Sequence, residues 1–281
     1  RVMVRWLPSA PLLALSLCAA LVLPGCSVRK LAINSLGNAL ASGTSGFASD
    51  EDPELVAAAV PFGLKTIERL LAESPRHRGL LFAAASGFTQ YSFGFVQQEA
   101  DYTEDRDLAR ATELRERART LYLRSLRYGL RGLEVDFPGF EQRLRADRAA
   151  ALRPCARKHV PLLYWTGLSW FAAISLAKTD SELSADQALA EALLRRANEL
   201  DPGWDMGSIQ EFYIAWEGRG EAVGGSYERA RERFRQALGH SRGRRASPYV
   251  GLAESVAVAQ QKRAEFEELL GQALAVDPNA D

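Results

Sequence analysis

The stretch 187–202 reads QALAEALLRRANELDP, and its spacing, Ala190-x3-Leu194-x2-Ala197-x4-Pro202, decides the fold. Intervals of four and three put Ala190, Leu194 and Ala197 on one helical face. The alanines let a neighbouring helix approach closely, and the leucine fills the space beside them. Pro202 stops the segment, because proline cannot continue a helix. The spacing returns as Ala230-x3-Phe234-x2-Ala237, with Gly218 upstream, and as Leu270-x2-Ala273-x4-Pro278. Ala197, Ala237 and Ala273 lie 40 and 36 residues apart.

This pattern fits the second-helix half of a tetratricopeptide repeat, whose ideal period is about 34 residues. One such hairpin cannot bury its apolar face alone, so hairpins must stack. The expected fold is all-α, a tetratricopeptide-like α-solenoid of stacked helical hairpins. An unrelated helical bundle is the alternative. Most first-helix positions are unmet, and Phe266 stands where a small residue is expected.

Outward from this core, good helix formers dominate and no stretch alternates with a period of two. Leu31–Leu40 is a modest helix candidate, ended by Gly43-Thr44-Ser45-Gly46. Asp52-Pro53 predicts a helix start, and Ser74-Pro75 its end. Leu80–Val96 has 17 residues without a charge and is apolar all round, which predicts burial. Asp107–Gly132 reads as a long charged helix supported by a Glu113–Arg117 pair. A turn follows over 136–139, then a second uncharged helix, Leu162–Ala177. Ser184-x-x-Gln187 and Ser208-x-x-Glu211 read as capping boxes. Tyr227–Leu238, a helix opening at Ser247-Pro248, and Ala264–Val276 complete the chain.

The N-terminus has the three parts of an export leader: Arg1 and Arg5, the apolar run Leu12–Leu23, and Leu23-Pro24-Gly25-Cys26. The run is too short to span a membrane. The last four residues resemble a bacterial lipoprotein box, in which Cys26 is acylated. A plain secretory leader is the alternative. The domain reading is a signal peptide over 1–25, a tether and first helix over 26–48, and one helical domain over 49–281. Two or more acyl chains would hold the protein firmly on a membrane. Ser27 after the cysteine resembles an outer-membrane destination facing the periplasm.

Of 281 residues, 256 remain after residue 25, enough for one large domain. They carry 33 basic and 35 acidic side chains, which gives no reason to expect nucleic acid. Arg242, Arg244 and Arg245 read as a solvated loop, with an anion contact as the alternative. Only Cys155 would remain in the folded part, so no internal disulfide can form. It reads as a small buried apolar residue. His77, His159 and His240 pair with no ligand at metal spacing. Gly43–Gly46 lacks the order of a nucleophile turn, and Gly218-x-Gly220 has the wrong spacing for a dinucleotide loop. No cofactor is expected, and the protein reads as no enzyme.

Three stretches carry a family resemblance: Ile33–Asp101, with Asn34-Ser35-Leu36-Gly37 and Ser49-Asp50-Glu51-Asp52-Pro53; Tyr164–Leu176; and Gly207–Gly218 with Pro248–Pro278. In order and spacing they resemble the TatT component of tripartite ATP-independent periplasmic (TRAP) transporters. The resemblance implies a periplasmic lipoprotein of stacked hairpins, a homotrimer with a central pore, and a periplasmic solute-binding protein as partner. An apolar or organic-acid ligand is implied, and no enzymatic role.

The two uncharged helices could wall an apolar cavity, since ligand pockets are mostly apolar and aromatic. Candidate lining residues are Phe88, Tyr91, Phe95, Tyr164, Trp165, Trp170, Phe171, Phe212, Tyr213 and Trp216. Glu211, Gln90 or Ser92 would orient a ligand. The alternative for each ring is ordinary core packing. An accessory protein of solute uptake is thus one reading. A general cell-envelope scaffold lipoprotein that uses its repeats to grip another protein is the other.

Overall fold

The computed structural model describes Ser35, Leu36, Asn38, residues 50–177 and residues 180–277. The expected leader, Cys26 and most of Leu31–Leu40 lie outside the described residues. Among the described residues, all regular structure is helical. No described helix is long and apolar enough to cross a membrane. The chain divides into two compact units, Arg1–Ala84 and Ala85–Asp281.

In the first unit, helix α1 spans Pro53–Glu73. The Asp52 carboxylate accepts the Leu55 N–H at 3.0 Å, and Pro53 supplies the preset φ of a first helical position. Val56, Leu64, Ile67 and Leu71 are buried along one stripe. Ser74 closes the helix, as its sequence predicts. Helix α2, Arg78–Tyr91, begins in this unit, with the Leu80 N–H donating to His77 Nδ1 at 3.2 Å.

In the second unit, α2 runs into a π-helical turn, Ser92–Gln97, and then α3, Gln98–Thr103. The wider turn shifts the helical register. Phe88, Ser92 and Val96 stay buried, whereas Phe93 is 63% exposed and Gln90 faces solvent. All-round burial of Leu80–Val96 is therefore corrected.

Helix α4 spans Leu108–Asp136, capped by Asp107, whose carboxylate accepts the Arg110 N–H at 2.9 Å. It runs past the expected end at Gly132. Gly129 and Gly132 are buried packing positions rather than stop signals. The expected Glu113–Arg117 pair is replaced. Glu113 binds Arg110 at 3.0 Å, and Arg117 reaches the Tyr91 hydroxyl at 3.3 Å.

The chain continues through α5 (Phe140–Ala146), α6 (Arg148–Leu152), a 3-10 turn (Arg157–His159) and α7 (Val160–Ser175). Then come α8 (Ser181–Ala185), α9 (Gln187–Leu200), α10 (Trp204–Gly218) and α11 (Tyr227–Ser241). Helix α12 (Ser247–Leu252) runs into a second π turn, Ala253–Ala257, and α13 (Arg263–Leu274) follows. The Ser184 capping box does not form. Asp180 caps α8 by accepting the Leu183 N–H at 3.0 Å, and the Asp186 carboxylate is taken by Arg145 at 2.6 Å.

Helix α4 packs on α7 and α7 on α9; α10 packs on α11 and α12, and α12 on α13. Ala190, Ala197, Ala230 and Ala237 are fully buried, as their spacing predicts. One core joins α4 to α7, α9 and α10 around Leu133, Phe140, Leu163, Trp170 and Leu193. A second joins α10–α13 through Ile214, Ala230, Leu252 and Val256.

Candidate functional site

Helix α7 carries the centre of the expected aromatic surface. Its sequence has no charge, and nine of its residues are buried, so it is covered on most of its circumference. Trp170 is 1% exposed, with Arg145 5.6 Å from its ring centre. Its place is the core. Tyr164 and Phe171 are also buried, but they meet rings of α10 that are only half-covered.

Two ring groups form there. Tyr164 lies 5.1 Å from Trp165 and 4.8 Å from Trp204, between ring centres. Phe171 lies 5.2 Å from Phe212 and 4.5 Å from Trp216. Phe212 also meets Tyr213 at 5.3 Å. Tilted and edge-on geometries match the preference of ring quadrupoles. Trp165, Phe212 and Trp216 are packed against the core yet partly open.

Cations cover two of these rings. The Arg219 guanidinium stands 3.2 Å from the Trp216 ring centre and that of Arg233 4.6 Å from Tyr213. Burial pushes the Tyr213 phenol up to about 12. Trp204, Arg219 and Arg233 were not legible as site residues. Trp204 follows a Pro-Gly pair, and the arginines reach their rings only through the fold.

Glu211 sits beside this group, and it has a protein partner. Arg245 Nε stands 2.8 Å from its Oε1. Arg245 also donates to the Asp205 carbonyl at 3.0 Å and to Ser208 Oγ at 3.1 Å. Ser208 Oγ donates to Asp205 Oδ2 at 2.6 Å. The reading of Arg245 as part of a solvated loop is thus corrected: it is a strut between α10 and the loop before α12. Burial pushes the Glu211 carboxyl above the ordinary range, and Arg245 offsets only part of that.

The start of α10 is a left-handed turn. Asp205, Met206 and Gly207 have φ of 48°, 54° and 95°. This turn re-aims the chain so that Ser208 opens the regular part of the helix. Ile209 is fully buried, with Phe212, Tyr213 and Trp216 on the same stripe.

Phe88, Tyr91 and Phe95 form a separate group against α4. Phe88 stacks on Tyr128 at 5.9 Å, and Tyr91 meets Phe95 at 5.8 Å. Arg117, Arg124 and Arg131 lie over Tyr91, Phe88 and Tyr128 at 6.0, 5.5 and 5.3 Å. Their spacing of seven residues, two helical turns, was the available sequence signal.

No group of His, Cys, Asp or Glu side chains among the described residues could hold a metal. Cys155 is buried and free, and burial pushes its thiol up to about 11, far from a reactive thiolate.

The arrangement offers aromatic surface and fixed charge. The family described as TRAP transporter T-component matches residues 49–281. An uncharacterized protein of Treponema pallidum (strain Nichols) is 32% identical over 299 aligned residues, which cover 97% of this chain and 90% of that protein. The match takes in both uncharged helices, the aromatic groups of α7 and α10, and the terminal helices. This chain belongs to the TRAP transporter T-component family.

Proposed function

We propose that this chain is the lipid-anchored accessory component of a TRAP-type solute uptake system. In this reading residues 1–25 are removed, Cys26 carries the acyl chains, and 26–48 tether the protein to the periplasmic face of the outer membrane. Residues 49–281 act as one tetratricopeptide-like solenoid. The order of packing, α4 to α7 to α9 and α10 to α13, supports stacked hairpins, as do the four buried alanines. The protein works as a homotrimer and engages a periplasmic solute-binding protein.

One observation carries the ligand part of this reading. Trp165 and Phe212 remain half-open beside buried Tyr164 and Phe171, and Trp216 is partly open with Arg219 over one face. A helix pair built only for packing would close over such rings, because aromatic area is the largest hydrophobic gain a core can make. These rings face the apolar part of a solute, and Glu211 and its Arg245 partner mark the polar end.

The test is co-purification of the chain with a TRAP-type solute-binding protein from the same organism. Capture by wild type, with solute transfer weakened in Trp216→Ala, is the expected result. Absence of capture removes the transport reading and leaves a general envelope scaffold. Palmitate labelling of wild type against Cys26→Ser checks the anchor, and equal labelling removes it.

A further inference from the structure

The groove between the α5–α6 junction and α9 encloses about 710 Å3. Five arginines line it, Arg145, Arg148, Arg153, Arg195 and Arg196, against the two acids Asp147 and Glu199. Glu141, Asp186 and Glu191 stand beside Arg145 and Arg195 at its edge, so the uncompensated positive charge of the groove lies at Arg148 and Arg153.

Both lining acids are already committed. Asp147 caps α6, accepting the Ala150 N–H at 3.0 Å. Glu199 binds Arg196 at 3.1 Å. The arginines differ in what they have left to give. Arg145 is held by Asp186 at 2.6 Å and Glu141 at 3.2 Å. Arg196 also donates to the Cys155 carbonyl at 2.8 Å, which ties the floor of the groove to α9. Among the described residues, the acid that Arg195 meets is Glu191, at 3.7 Å. Arg148 and Arg153 are exposed and have no acidic partner among the described residues.

The result is a wall, fixed by Arg145 and Arg196, that presents Arg148 and Arg153 with open guanidinium forks beside the loosely held Arg195. Such forks match carboxylates in two-point contacts. A single small carboxylate in an open, wet groove gains little, because exposed ion pairs are worth about 0–1 kcal/mol each. A chain segment with several carboxylates engages both open forks, and Arg195 beside them, at once.

We infer that this groove docks an acidic segment of a protein partner. The inference rests on the reading of this chain as a partner-binding accessory protein, and it gives that partner a chemistry: a run of Asp and Glu side chains on its contacting surface.

The full chain is titrated with a fluorescent hexaglutamate peptide by anisotropy, in wild type, Arg148→Glu/Arg153→Glu and Arg242→Glu/Arg244→Glu. The last variant makes the same charge change at exposed arginines outside the groove. Circular dichroism confirms that each variant is folded. Wild type and the Arg242/Arg244 variant bind, the groove variant loses about tenfold or more, and binding weakens as salt rises. Equal loss in both variants, or no peptide binding by wild type, overturns the inference. So does citrate binding in the groove as tightly as the peptide, or binding of phosphatidylglycerol vesicles in its place. Capture of the solute-binding protein is measured on the same variants. Capture without peptide binding sinks the groove alone; peptide binding without capture sinks the transport reading alone.

Discussion

Gly129 of α4 and Thr166 of α7 meet so closely that a Cβ on Gly129 would stand 2.2 Å from the Thr166 hydroxyl oxygen. Thr166 cannot simply turn away. It is fully buried, and its hydroxyl donates to the Leu162 carbonyl at 2.5 Å. The contact sits where α4 and α7 cross, so it sets how near the two helices come. Gly129→Ala should therefore destabilise by about 2 kcal/mol, although alanine is the better helix former, since overpacking costs about 1–3 kcal/mol. Adding Thr166→Ala should recover part of the loss. Urea melts of the two single variants and the double variant check this, and strictly additive effects would contradict it.

Met206 bears a different strain. Its φ of 54° lies in the left-handed region, and its side chain is 44% exposed. A non-glycine residue there costs about 1–2 kcal/mol, and little packing would be lost on truncation. Met206→Gly should raise stability by about 1 kcal/mol, read as a higher midpoint in thermal or urea unfolding. A lower midpoint would mean that the side chain holds the turn in place.

These two positions show what the sequence could and could not announce. Asp52-Pro53, Asp107 and the alanines at 190, 197 and 237 act through local capping or helical spacing, and each appears where its pattern predicts. Phe93 fails because a π turn rotates the register of the helix there, which the spacing of apolar residues does not encode. Ser184 fails because it lies inside α8, which Asp180 caps, and so cannot cap the helix that opens at Gln187. The aromatic stripe of α10 was legible as a stripe. Its division between buried Tyr213 and half-open Trp216 depends on which helices pack beside it. Arg245 reaches Glu211 across 34 residues of chain, a distance at which no local spacing rule operates.

Cys155 should be inert in the folded protein. Its side chain is buried, and its thiol is pushed up to about 11 by loss of hydration, against weaker downward pulls from Arg196 and Arg143. Under native conditions at neutral pH, a thiol reagent should leave Cys155 unlabelled over hours. Labelling should become complete once denaturant opens the core. Rapid native labelling would show that the wall between α6 and α9 opens readily.

Glu211 ties stability to pH in one direction. Burial raises its folded-state pKa above the ordinary value, so the folded protein holds the neutral carboxyl better than the unfolded chain does. Its contribution is full below about pH 4.5 and declines as pH rises through the raised folded value. Glu211→Gln keeps the shape and removes this decline. The variant should gain stability relative to wild type as pH rises from 4 to 7, in urea midpoints measured across that range. Parallel curves would show that Arg245 fully compensates the buried charge.

His159 works in the opposite sense. Its Nδ1 accepts the Ala156 N–H at 2.8 Å, so that nitrogen carries no proton, and Nε2 faces Asp136 Oδ2 at 3.3 Å. The ring is buried edge-on to Phe137, with 4.8 Å between centres. Burial lowers its pKa below the ordinary 6.5, and Asp136 recovers only part of that. Protonation would also break the Ala156 bond, because Nδ1 would then have to donate. Stability is thus full above about pH 6.5 and is lost as pH falls through the depressed folded value. His159→Asn keeps an acceptor for Ala156 but cannot titrate. It should cost about 1–2 kcal/mol at neutral pH through lost packing on Phe137, and its disadvantage should shrink as pH drops toward 5. A constant gap between variant and wild type over that range would mean that the imidazole takes up its proton in place, with Asp136 supplying the full compensation.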